Sequence, residues 1–145
     1  KCQLGVWEYM GNDPKSEQAA LRLGAGWYDV ETGGRWTKET EASIWYYDVP
    51  EVEGDFLFHY VISSWITPGD VDIYANGNYI GILPETTGTE MSIIIPSDFI
   101  AEDRILKLTF CIDQPVRPSD SGNRADRREL GVMFDTIMLD EGKEK

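Results

Sequence analysis

The sequence predicts an all-β protein, an antiparallel β-sandwich of the jelly-roll or Ig-like kind. Three observations lead to this prediction. Short segments rich in β-branched and aromatic residues recur between turn signals. Asn76-Gly77 separates two such segments, and this pair favours the two-residue type I′ turn of a hairpin. The sequence also contains no amphipathic helix of useful length.

Eight strands follow from these patterns. Residues 4–10 combine β-branched and aromatic character, and the second strand ends before Pro50. Residues 55–66 alternate apolar positions such as Phe56 and Phe58, so this long strand is expected to be central. Short helical turns are expected at 16–23 and 97–103. The predicted strands cover residues 4–10, 42–49, 55–66, 70–75, 78–83, 90–95, 105–112 and 132–139.

Length and charge restrict the function. With 145 residues the chain is predicted to be a single domain, residues 1–145, and its start at Lys1 suggests a mature form or a piece of a longer protein. A net charge of −13 repels phosphate backbones and anionic lipids, so no nucleic-acid partner is expected. No apolar run approaches the roughly 20 residues of a membrane span, so this domain is not expected to insert into a membrane.

Few residues have the chemistry of a cofactor or metal site. Cys2 and Cys111 lie near opposite ends of the chain, and we favour two buried thiols over a disulfide. His59 lies among apolar neighbours in a predicted strand, where a structural role is favoured over a catalytic one. The usual zinc-ligand spacings are absent, and the acidic loops form no ordered calcium-binding pattern. We therefore predict no metal and no cofactor.

The segment 24–36 is the first candidate for a binding site. Its four glycines let the backbone turn tightly, so that side chains from nearby positions converge on one patch. A Trp ring can lie against the apolar face of a sugar, while Arg and Glu bond to the hydroxyl groups. A hydrophobic plug with one ion pair is the alternative. The candidate carbohydrate-binding residues here are Trp27, Tyr28, Glu31, Arg35 and Trp36.

The segment 113–131 is the second candidate, because it is far longer than a hairpin loop requires. We hypothesise that it meets the first segment and contributes Arg117, Asp126 and Arg128 to the same site. Arg35 and Arg128 would bond to the glycan, with Glu31 and Asp126 accepting hydroxyl protons or holding these arginines. One of the two tryptophans would stack and the other would pin the loop. The alternative is a set of structural ion pairs.

The order of these motifs resembles a β-sandwich module appended to bacterial surface-glycan enzymes, including glycosyltransferases and phosphoglycerol transferases. The resemblance covers nearly the whole chain, and Glu129 is acidic where the family more often has a basic or neutral residue. It implies a non-catalytic accessory domain, similar to carbohydrate-binding modules, that recognises a glycan handled by its parent enzyme. The matching motifs are Gly26-Trp27, Glu31, Gly34-Arg35-Trp36, Asn76-Gly77, Pro115, Pro118, Asp126, Arg128, Leu130 and Gly131.

The expected function is therefore non-catalytic binding of a bacterial or other polysaccharide. A structural or protein-docking sandwich, appended to a glycan-synthesising enzyme, is the alternative. A glycosidase with two carboxylates is a third possibility, but no acid, base or nucleophile pattern singles out a pair. We therefore do not expect an enzyme.

Overall fold

The computed structural model describes residues 2–12, 17–122 and 125–142. Two antiparallel sheets pack face to face, as the sequence predicts. One helix, α1 (Glu17–Ala20), and two 3-10 turns (Ser97–Phe99 and Pro118–Ser121) lie in the described connections. The strands are β1 (Glu8–Tyr9), β2 (Arg35–Lys38), β3 (Glu41–Tyr46), β4 (Asp55–Trp65), β5 (Val71–Ala75), β6 (Asn78–Ile82), β7 (Glu90–Ile95), β8 (Leu106–Ile112) and β9 (Leu130–Gly142).

In the first sheet the strand order is β1-β9-β4-β7. Strand β2 also pairs antiparallel with β9, so that Arg35 lies opposite Phe134 and Lys38 lies opposite Leu130. The second sheet has the order β3-β8-β5-β6. From β2 onward the chain alternates between the two sheets at each connection except the β5–β6 hairpin. Of the two arrangements that the sequence left open, this connectivity matches the jelly roll.

The core lies between the sheets and is rich in aromatic rings. In β4 every second side chain from Phe56 to Ile62 is buried, which is the alternation expected of a strand with one covered face. Phe110 of β8 and Phe134 of β9 meet across the sheets, with ring centroids 4.8 Å apart. Removing apolar surface of this size from water is the main force that holds the two sheets together.

The predicted strands are confirmed, although several bounds differ and one further strand is present. The first strand is only Glu8–Tyr9, whereas residues 4–10 were expected to form it. The strand Arg35–Lys38 was not predicted, because four residues after a Gly-Gly pair carry too little alternation to be recognised. It exists because its backbone completes the edge of β9. The helical turns are also shorter than predicted, and residue 16, where the first was to begin, lies outside the described residues.

Asn76-Gly77 forms the predicted hairpin turn. Both residues have positive φ, 48° and 84°, as a type I′ turn requires. The Asn76 side chain also donates to the carbonyls of Phe99 and Ile105 at 2.8 and 2.9 Å, and its Oδ1 accepts the backbone N–H of Lys107 at 2.8 Å. The turn is therefore tied to the neighbouring connection as well as to its own strands.

The two cysteines are free thiols, as predicted, but only Cys2 is buried. Cys111 is half-buried, because it faces outward from β8. His59 faces outward from β4, where its Nδ1 lies 3.2 Å from Glu90 and its ring meets the edge of Trp7. These contacts are consistent with the structural role expected of this histidine.

Candidate functional site

The segments 24–36 and 113–131 are in contact, as hypothesised. Arg128 Nη1 donates to Glu31 at 2.5 Å. The hydroxyl of Tyr28 accepts the backbone N–H of Glu129 at 2.9 Å. We call the residues Tyr28, Glu31, Asp126 and Arg128 the loop cluster.

Arg128 is held firmly within the loop cluster. Its Nε and Nη2 donate to the two carboxylate oxygens of Asp126 at 2.9 and 2.8 Å, and its guanidinium lies 5.4 Å from the centre of the Tyr28 ring. Hydrogen bonds from Arg128 hold the pKa of Asp126 below its usual range. Bonds to Asp126 and then Glu31 raise the pKa of Arg128. Carboxylates of the protein therefore occupy three N–H groups of Arg128.

Trp36 does not present a stacking face, and Trp27 is half-buried against the core. The indole N–H of Trp27 donates to the Ser43 carbonyl at 2.8 Å, and the ring packs edge-to-face against Phe134. Trp36 is only 8% exposed and packs with Leu130 and Met133. Both tryptophans anchor the segment, because each ring meets apolar side chains of the sandwich.

The glycines of this segment serve close packing. Gly26 and Gly34 have φ of 95° and 138°, and a Cβ at these positions would lie 1.9 Å from the Glu41 carbonyl oxygen and 2.0 Å from that of Phe134. Such distances exclude a side chain. The segment therefore lies flat against the sandwich and does not project from it as a loop.

The remaining predicted arginines have different surroundings. Arg117 donates to Glu129 at 2.8 Å in an exposed ion pair. Arg35 pairs with Phe134 in the backbone register, and its Nε is buried without a hydrogen-bond partner among the described residues. No ion pair joins Arg35 to Glu31 or to another carboxylate in the described part of the chain.

The outer face of the four-stranded sheet carries aromatic residues that the sequence analysis did not assign to a site. Ala42, Ile44 and Tyr46 of β3 point into the core, so Trp45 and the following Tyr47 lie on the outer side. Their rings are parallel within 6°, with centroids 6.1 Å apart. Lys107 places its ammonium 5.1 Å from the centre of the Trp45 ring.

A second aromatic pair lies on the same face. Tyr74 of β5 and Tyr79 of β6 meet edge-to-face at 5.6 Å, and Tyr79 is 53% exposed. In the register, Thr109 of β8 stands between Ser43 and Tyr74. Since β8 lies between β3 and β5, the two aromatic pairs are on the order of 10 Å apart across the sheet. We call Trp45, Tyr47, Tyr74 and Tyr79, with Lys107 and Thr109 between them, the aromatic face.

Strand alternation is the signal that could have found the aromatic face. Because Ile44 and Tyr46 alternate with Trp45 and Tyr47, one of the two sets must face away from the core. The sequence predicts a strand here, whereas all the residues expected to bind a ligand lie in segments 24–36 and 113–131. Which set faces outward depends on the sheet that packs against β3.

Further along the same face, Cys111 stands between Glu41 and Asp72 in the register. Burial raises the pKa of the Cys111 thiol, and the charges of Glu41 and Asp72 raise it further. The two carboxylates give this end of the face hydrogen-bond acceptors, while Lys107 gives the other end a donor.

The described residues contain neither a metal-binding cluster nor a helix that could span a membrane. No group of three or more His, Cys, Asp or Glu residues there is arranged to hold a metal ion. Within residues 2–12, 17–122 and 125–142, no helix is long and apolar enough to cross a membrane. No protein-family model matches the chain, and the curated proteins contain no significant match to it.

Proposed function

We propose that this domain is a non-catalytic carbohydrate-binding module whose glycan lies across the aromatic face. The observation that carries the proposal is that two aromatic pairs lie on the outer side of one sheet, the half-buried Trp45 with the exposed Tyr47 and the half-buried Tyr74 with the exposed Tyr79. Aromatic rings pack well against the C–H groups of sugar rings, and their rigid side chains lose little entropy on binding. A glycan chain that runs across the strands would contact both aromatic pairs.

Polar groups between the aromatic pairs supply orientation. Lys107 donates hydrogen bonds and Thr109 both donates and accepts them, while Asp72, further along the same face, accepts them. Hydroxyl groups around a sugar ring need partners of both kinds. The net charge of −13 disfavours a strongly anionic glycan. The proposed ligand is therefore an uncharged polysaccharide or oligosaccharide.

The carboxyl groups support binding without catalysis. A glycosidase needs one carboxyl group with a raised pKa to act as the acid. Among the described carboxyl groups, burial raises the pKa of Asp135, but this residue lies at the irregularity of β9 in the other sheet. Asp135 is therefore not placed to act on a glycan on the aromatic face, and we expect the isolated domain to show no turnover on oligosaccharides.

The loop cluster is a second candidate location for the same function. Glu31 is 39% exposed, and Arg128 is 34% exposed. In its favour, carboxylates and a planar guanidinium are suited to vicinal hydroxyl groups. Against it, Arg128 already donates three hydrogen bonds to carboxylates of the protein.

Protein docking is the competing function, and one observation favours it. Ile82 lies half-exposed on β6, an edge strand, on the same face as Tyr79. Apolar and aromatic side chains on an exposed surface are also typical of protein interfaces. In that case the sandwich would attach a glycan-synthesising enzyme to a partner, the setting that the family resemblance implies.

The test is a glycan array followed by titration of the retained polysaccharide against variants. Trp45→Ala and Tyr79→Ala should each weaken binding by roughly tenfold or more. Trp7→Ala is the matched control, because this half-buried tryptophan packs against His59 on the other sheet. Its binding should equal that of the unmodified protein.

Two results would change the conclusion. If no polysaccharide is retained, glycan binding is wrong and protein docking becomes the better account. If Arg128→Ala weakens binding while Trp45→Ala and Tyr79→Ala do not, the glycan binds at the loop cluster.

A further inference from the structure

The N-terminal part of the chain covers one open side of the sandwich. Gly5 and Met10 donate backbone hydrogen bonds to Leu139 and Asp135 of β9. On the other sheet, Gly24 donates to Ser43 of β3 at 2.8 Å. Residues 5–12 therefore lie along the edge of the five-stranded sheet, and residues 17–24 lead to the edge of the four-stranded sheet.

Glu8 and Arg22 form an ion pair within this covering segment. Arg22 Nε donates to Glu8 Oε1 at 2.5 Å, and the two side chains are 11% and 8% exposed. The guanidinium lies 4.3 Å from the centre of the Tyr46 ring. Burial opposes the charge on Arg22, but the hydrogen bond and the charge of Glu8 outweigh it and raise the pKa of Arg22.

This pair leaves most of its hydrogen-bonding capacity unused. Nη1 and Nη2 of Arg22 and Oε2 of Glu8 form no hydrogen bond with a described residue, and the side-chain amides of Gln3 and Gln18 form none either. These atoms are not among the buried side-chain atoms without a partner, so they remain accessible from the cavity and can bond to a polar ligand or to water. All four side chains line one cavity.

The cavity has the size of a small ligand. It encloses about 360 Å³ and is lined by Gln3, Val6, Glu8, Gln18 and Arg22. This volume lies at the lower end of the range for small-molecule sites. We call it the edge pocket.

The edge pocket leads toward the aromatic face. A smaller cavity of about 110 Å³ is lined by Gln18, Leu21, Arg22 and Tyr47. Gln18 and Arg22 line both cavities, so the two adjoin. Tyr47 in turn stacks on Trp45, which places the edge pocket next to one end of the aromatic face.

We propose that the edge pocket binds one uncharged sugar residue, the terminal residue of the glycan that lies across the aromatic face. The carboxylate of Glu8 accepts hydrogen bonds from hydroxyl groups, and Arg22 donates them. Gln3 and Gln18 both donate and accept at the rim. The proposal rests on the proposed function for the identity of the ligand, and on the unpaired groups of the pocket for its location.

The absence of excess charge in the edge pocket favours an uncharged sugar residue. The positive charge of Arg22 is balanced by Glu8, so the pocket itself has no excess charge. An anionic group would gain the attraction of Arg22 but would also meet the carboxylate of Glu8. Hydroxyl groups use both partners without this repulsion.

The test is an NMR titration of the whole domain with the methyl glycosides of glucose, galactose, mannose and N-acetylglucosamine, and with glucuronic acid as the anionic counterpart. We expect saturable shifts of the Arg22 Nε–H signal and of the Gln3 and Gln18 amide signals with at least one neutral glycoside. If no neutral glycoside produces them, the proposal is wrong. Preferential binding of glucuronic acid would overturn the choice of an uncharged ligand.

Variants locate the binding. Gln18→Ala and Gln3→Ala remove exposed rim amides and should each weaken glycoside binding by about threefold to tenfold. Gln114→Ala is the matched control, because this exposed glutamine uses its backbone carbonyl, not its side chain, to accept from Thr67. Equal binding by all three variants would contradict the pocket assignment.

A second measurement separates this proposal from the proposed function. Polysaccharide binding is measured for Gln18→Ala and Tyr79→Ala. If Tyr79→Ala weakens it and the glycosides leave the pocket signals unchanged, the function stands and the edge pocket is excluded. If polysaccharides do not bind but a neutral glycoside shifts the pocket signals, the aromatic face is wrong and the pocket binds a free sugar.

Discussion

Two arginine–carboxylate groups in this protein use the same chemistry at different depths. The Arg22–Glu8 pair is nearly buried, whereas Arg128 of the loop cluster is about a third exposed. Arg22 donates one hydrogen bond to a carboxylate, and Arg128 donates three. The exposure of an arginine side chain therefore does not determine how many of its hydrogen-bond donors remain free for a ligand. Carboxylates of the protein accept from three of the five N–H groups of the exposed arginine but from only one of the buried arginine, which lines a cavity.

Depth also decides how much each group contributes to stability. Removing one member of a buried pair leaves an uncompensated charge in a poorly solvated place, which is strongly unfavourable. An exposed arginine that loses its partner is solvated by water, so the loss is small. The two regions should therefore respond differently to the same substitution.

The largest effect is expected at the buried pair. Glu8→Leu should lower the free energy of unfolding by roughly 3–5 kcal/mol, because Arg22 is left buried and unpaired. Urea denaturation at neutral pH measures it. The double variant Glu8→Leu with Arg22→Met should recover most of the loss, since two apolar side chains of similar length need no partner. A double variant as unstable as the single one would show that packing, not charge, is the cause.

A large effect is also expected beneath the loop cluster. Trp36→Ala should lower the free energy of unfolding by roughly 3 kcal/mol or more, because the cavity left beside Leu130 and Met133 cannot fully collapse. Glycan binding by the folded fraction should be unchanged. Thermal unfolding with parallel titration tests both statements. Retained stability with lost binding would restore Trp36 as a stacking residue.

A small effect is expected at the exposed arginine. Arg128→Ala should lower the free energy of unfolding by about 1 kcal/mol or less, since Asp126 and Glu31 are then solvated. Urea denaturation beside Glu8→Leu gives the direct comparison. A loss as large as that of the buried pair would show that the loop cluster is as important to the fold as the edge pocket.

The smallest effect is a pH dependence. Hydrogen bonds from Arg128 hold the pKa of Asp126 below its usual range. The contribution of the ionised Asp126 to the free energy of unfolding is therefore fully present above the unfolded Asp pKa of about 3.9. This contribution is lost as the pH falls through the lower pKa of the folded state. The stability difference between the protein and Asp126→Asn should be constant near neutral pH and disappear in acid. A difference that grows below about pH 4 would reverse the assigned direction.

Much of the fold followed from local patterns. The alternation in residues 55–66 and the Asn76-Gly77 turn predicted β4 and the hairpin, because strand faces and turn conformations depend on only a few neighbouring residues. The contact between segments 24–36 and 113–131 was also predictable, since loops of a sandwich gather at shared ends or edges.

Tertiary structure decided the rest. Trp27 and Trp36 were expected to include a stacking residue, yet both became anchors, because a glycine-rich segment can lie flat on a sheet as well as project from it. Trp45 and Tyr47 became exposed because the opposite side of β3 meets the core. Glu8 and Arg22 meet because Glu8 pairs with β9 of one sheet, while the Arg22 backbone bonds to Trp45 in β3 of the other. The sequence by itself determined most of the strands, one turn and the acidic charge, all of which depend on local periodicity and composition. Which aromatics and charges are buried, paired or exposed depended on long-range packing, which brings together residues that no local pattern relates.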